Sequence, residues 1–129
     1  MNKYLIDLQR GSYATSVVIL EDKYNELNPT LVMSAEIDDK YLLSSPYKNP
    51  VFKDKLDEMS ARNDLVYFII KDIDKVSIEK QNRYIGVVKD RVVNGYKLPE
   101  NVIIIFTVKN KEGLKNISKE LYHFCIVAI

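Results

Sequence analysis

The chain has 129 residues, of which 47% are hydrophobic and 29% charged, enough for one domain with a real core. Its 19 basic and 18 acidic residues leave a net charge of +1, so charge gives no reason to expect nucleic acid or a membrane surface as partner. One cysteine, Cys125, cannot form a disulfide within the chain, and no run approaches the ~20 apolar residues that span a bilayer. The segment from Met1 to Asp7 has a charge inside its apolar window and no cleavage pattern, so it does not read as a signal peptide and the expected compartment is the cytoplasm.

In the first half, Lys3 to Leu8, Ser16 to Leu20 and Thr30 to Ile37 read as short strands, separated by Gly11-Ser12 and by Asn28-Pro29. These strands are expected to extend a sheet or to form a small antiparallel flap beside it. Residues 38–50 carry two prolines and read as an irregular loop. Pro50 suits the first turn of a helix running to about Arg62, with Phe52, Leu56 and Met59 on one face.

The second half alternates more regularly. Leu65 to Ile70 (LVYFII) is a continuous apolar run, as expected of a strand buried on both faces. Ser77 is placed to cap a helix that ends near Asp90 and turns Ile78, Tyr84, Ile85 and Val88 toward a core. Lys80 stands where a capping box would have Glu, so the cap rests on the Ser77 hydroxyl alone. Asn94-Gly95 is a turn signal, Asn101 to Val108 a second buried strand, Leu114 to His123 a helix, and Phe124 to Ile129 a third buried strand. Continuous apolar strands alternating with helices predict an α/β domain with a mainly parallel sheet covered by helices.

Several islands from Leu65 onward share one pattern. They are Tyr67-Phe68-Ile69-Ile70-Lys71-Asp72-Ile73-Asp74-Lys75, then Glu79-Lys80-Gln81-Asn82, then Asp90-Arg91-Val92-Val93-Asn94-Gly95-Tyr96-Lys97-Leu98-Pro99-Glu100-Asn101. Asn110 and Ser118-Lys119-Glu120-Leu121-Tyr122-His123-Phe124 follow. In this order and spacing they resemble the Walker B to sensor-1 portion of AAA+ ATPases, closest to the MoxR-like branch and its phage relatives. The resemblance covers residues 65–129, leaving 1–64 as a divergent half of one domain. It implies a three-layer, reduced P-loop NTPase core without the helical lid, which would follow Ile129.

The chemistry of that family is not matched. No G-x-x-x-x-G-K-[ST] occurs, and the strand that would feed a phosphate loop is followed by Glu21-Asp22-Lys23-Tyr24-Asn25-Glu26, whose carboxylates repel a triphosphate. The resemblance puts Lys71 where the family has the magnesium-holding Asp, Asp72 where it has the water-polarising Glu, and His123 where it has an arginine. A neutral imidazole does not replace a guanidinium. Asp72 and Asn110 are thus remnants of a nucleotide site, with no catalytic residue and no metal site expected. Tyr96 and Lys97 lie in a segment that, in the related ATPases, projects toward neighbours or substrate, and by that resemblance they are candidate contact residues.

Blander readings stand beside these. Asp72 and Asp74, flanked by Lys71 and Lys75, read either as a divalent-ion site or, preferably, as a solvated turn. His123 is a catalytic base or, more simply, a structural residue at the negative end of a helix. The nine tyrosines form a binding surface or complete a core poor in Phe, with their polar tips in water. Cys125, in an apolar run, reads as a core residue. The preferred expectation is a catalytically inert, ATPase-derived interaction module of phage or mobile-element type, without cofactor, docking on an intact AAA+ ATPase or another protein. The alternative is a split ATPase subunit that completes an Mg-ATP site with another chain. Self-association is left open by the sequence.

Overall fold

β-Branched residues are stiff at χ1 and fill the pleated surface of a strand, and in this chain they gather into three runs that become the sheet interior. The computed structural model describes residues 16–23, 31–37, 50–62, 66–93 and 95–128, with side chains in the first helix described from Asp54 onward. In chain order the elements are β1 (Ser16–Leu20), β2 (Leu31–Ser34), α1 (Pro50–Ser60), β3 (Val66–Lys71), α2 (Ile78–Asp90), β4 (Val92–Val93), β5 (Tyr96–Lys97), β6 (Val102–Val108), α3 (Lys119–Tyr122) and β7 (Cys125–Val127). 3-10 turns follow three strand ends, residues 21–23 after β1, Ile73–Lys75 after β3 and Lys111–Asn116 after β6.

Five strands form one parallel sheet in the order β2-β3-β6-β1-β7. β6 is central, pairing Val102 to Ile70-facing Phe106 against β3 and Ile104 to Val108 against β1. All seven of its residues are buried. The first strand is therefore interior to the sheet, between β6 and β7, and neither β1 nor β2 belongs to an antiparallel flap. Lys3 to Leu8 and the loop 38–49 lie outside the described residues.

Alternation along the strands divides the core between two faces. Val18, Phe68, Ile70, Ile104, Phe106 and Val108 face Leu56 and Met59 of α1, Tyr84, Val87 and Val88 of α2, and Leu121 of α3. Val17, Ile19, Tyr67, Ile69, Ile103 and Ile105 form the buried cluster on the other face, with Ala128 beside them. All three described helices thus lie on one side, and no helix covers the other face among the described residues. No helix among those residues is long and apolar enough to cross a membrane.

The helix starting at Ile78 follows its sequence signals closely. The Ser77 hydroxyl accepts from the Lys80 amide at 3.1 Å, satisfying one of the unpaired donors of the first turn. Its buried face is Gln81, Tyr84, Val87 and Val88, whereas Ile78 is half exposed and Ile85 only partly buried, so the apolar stripe is rotated from the expected one. The stripe turns because Gln81, fully buried, is held by hydrogen bonds to the chain after β6 and to Val76, which follows β3. Its Nε2 donates to the carbonyls of Val76 at 3.1 Å and Asn116 at 2.9 Å, and its Oε1 accepts from the Ser118 amide at 2.6 Å.

The helix expected over 114–123 is broken. Ile117 and Ser118 are extended, and Ser118 caps a new single turn by accepting from the Leu121 amide at 3.2 Å. Fixing the Asn116 carbonyl and the Ser118 amide to Gln81 removes both groups from a continuous helix ladder. β7 is likewise an edge strand of half-buried residues rather than a fully buried one.

Candidate functional site

In an open parallel sheet, ligands bind outside the carboxyl ends of the strands, where neighbouring connections diverge. The chain leaves β1 for β2, past β6 and β3, and leaves β6 for β7, past β1. The divergence falls between β6 and β1, so the carboxyl ends of β1, β3 and β6 mark the crevice to inspect. Leu20, Lys71 and Val108 end these three strands.

Lys71 continues the alternation of Tyr67 and Ile69 and so leaves the sheet on the face away from the described helices, while Glu21 opens the 3-10 turn that follows β1. Between them β6 contributes Thr107. The Lys71 Nζ lies 3.1 Å from Glu21 Oε1, with the two side chains 30% and 25% exposed. This ion pair spans two strand spacings, about 10 Å of sheet, which only a side chain as long as lysine can cover. The carboxylate feared for its repulsion of phosphate is thus engaged with the cation that stands at the end of β3. The Thr107 hydroxyl, in a fully buried residue, accepts from the Asp72 amide at 3.2 Å and ties the turn after β3 to β6.

Asp72 adopts the left-handed conformation, φ 59° and ψ 45°, and leads into the 3-10 turn Ile73–Lys75 without capping it through its side chain. Asp74 is not the solvated residue expected from its flanking lysines. Its side chain is only 3% exposed, with Lys75 Nζ at 3.9 Å from Oδ2. The Oδ1 atoms of both Asp72 and Asp74 are buried and have no hydrogen-bond partner. The turn after β6 packs on this one, and a Cβ on Gly113 would sit 2.6 Å from Asp74 Oδ2 and 3.0 Å from Val108 Cβ. Only glycine fits there without displacing its neighbours. Among the described residues no group of three or more His, Cys, Asp and Glu side chains could hold a metal ion.

Of the other nominated residues, Asn110 stands two residues past the carboxyl end of β6, at the same end of the sheet, while Tyr96, Lys97 and His123 lie elsewhere. Asn110 is exposed beyond β6, where its carbonyl accepts from the Gly113 amide at 3.0 Å and its side chain makes no cap. Tyr96 and Lys97 lie on the two-stranded β4–β5 ribbon, reached only after the 13 residues of α2 have carried the chain about 20 Å back along the sheet. Gly95, at φ 80°, makes the turn of that ribbon, and Asn94 lies outside the described residues. Arg91 fastens the ribbon near the amino end of β6 by donating from Nη2 to the carbonyls of Pro99 at 2.7 Å and Val102 at 2.8 Å. Lys97 is exposed, with Nζ donating to the Asp90 carbonyl at 3.1 Å, and Tyr96 is half-buried. His123 is exposed at the end of α3, its ring edge-on to Phe124 at 5.5 Å.

Sequence reasoning missed Glu21 as the partner of Lys71, and it missed Gln81 and Gly113. A glutamine on the apolar stripe of a helix is a signal for the second, since a buried amide requires partners.

Cys125 is a structural thiol. Its Sγ donates to the Leu121 carbonyl at 3.3 Å and lies 3.2 Å from Ser16 Oγ, and burial pushes its pKa from 9.0 up to about 11. Because the folded pKa is the higher one, the contribution to stability is complete below pH 9 and is lost as pH rises toward 11. Melting temperature is therefore expected to fall over that window more in the wild type than in Cys125→Ala. Alkylation of the native protein at neutral pH should be slow and become fast on unfolding.

No family model matches the chain, and no curated protein or solved structure matches it either.

Proposed function

We propose that the chain is a catalytically inert interaction module derived from an AAA+ ATPase core, acting by docking on a protein partner such as an intact AAA+ ATPase. The observation that carries this reading is the Lys71–Glu21 ion pair at the carboxyl ends of β3 and β1. Under the resemblance, these are the ends that would hold magnesium and feed the phosphate loop. Here a fixed ammonium stands in the place of the metal, and its partner is a carboxylate in the place of the phosphate cradle. Such a pair neutralises itself, and displacing it for Mg-ATP would strand a carboxylate against a triphosphate. The extended parallel sheet with β1 inside it supports the same reading, because the scaffold persists where the catalytic chemistry does not.

The contact surface in this reading is the β4–β5 ribbon with Tyr96 and Lys97, at the other end of the sheet from the crevice. Two experiments test the two parts. Lys71→Asp restores a carboxylate at the strand end but no phosphate cradle, so the variant is expected to gain neither ATP hydrolysis nor stabilisation by nucleotide. A gain of either contradicts the account. A photoreactive residue at position 97 should cross-link in cells to a protein with its own phosphate loop, and cross-links to unrelated abundant proteins alone contradict the docking half.

A further inference from the structure

We draw no further inference here: the strongest candidate, the apolar edge strand β7 with its half-buried residues Cys125–Val127, carries nothing, because nothing in the structure shows what covers it.

Discussion

Replacing Tyr84 by alanine is expected to destabilise the fold by about 4 kcal/mol, the largest effect of any single truncation considered for this chain. Tyr84 is the largest fully buried side chain among the described residues, lying on the inner face of α2. Its ring meets Phe106 of the central strand edge-on, with centroids 6.0 Å apart, and its hydroxyl donates to the Ala35 carbonyl at 2.7 Å. Alanine leaves a cavity between helix and sheet and also strands a buried carbonyl just after β2. Against a typical domain stability of about 5–15 kcal/mol, such a loss brings the chain near the edge of folding. Tyr84→Phe separates the two contributions. It keeps the packing and removes only the hydroxyl, so it should cost about 1–2 kcal/mol. Urea unfolding of the three proteins measures both steps, and equal losses in the two variants would place the effect in the hydrogen bond alone.

The second large effect is expected at Gln81. Its amide joins Val76, Asn116 and Ser118, three points of the chain that follow β3 and β6, through bonds of 3.1, 2.9 and 2.6 Å. Gln81→Ala removes all three and leaves the Ser118 amide, in a residue 1% exposed, without its acceptor. An unsatisfied buried group costs about 1–3 kcal/mol, and with the cavity the total should reach about 3 kcal/mol. The loss is expected to be local as well as global. Amide exchange should quicken at Ser118 and through α3, because the extended step at 117–118 is what the glutamine holds. Gln81→Glu keeps the shape but loses the two donated bonds, and should be nearly as damaging. Retention of normal exchange at Ser118 in Gln81→Ala would contradict this role.

These two positions also mark what could be read from the residues alone. The apolar runs 65–70 and 101–108 gave β3 and β6 almost to the residue, because a strand buried on both faces has no competing interpretation at that length. Ser77 and the residues up to Asp90 gave α2 because its cap and length are local. The failures are non-local. The interior position of β1 depends on pairing with β6, some 90 residues away, and no periodicity encodes that register. The break at Ile117-Ser118 depends on an amide from another helix. The burial of Asp74 depends on the absence of a side chain at Gly113. At the crevice, Lys71 was legible as an obstacle to metal binding, but its partner was not, since Glu21 reaches it only once β1 and β3 flank β6.

The central claim is that the strand ends that would serve a nucleotide are closed by the Lys71–Glu21 pair and lack a phosphate cradle. Its most direct test is isothermal titration of ATP and of ADP into the wild-type protein, with magnesium matched in both solutions. The account predicts no saturable binding at millimolar nucleotide. Saturable binding with a dissociation constant in the micromolar range, abolished by Lys71→Ala or Glu21→Ala, would contradict it, since the ion pair would then be part of a working site rather than its replacement.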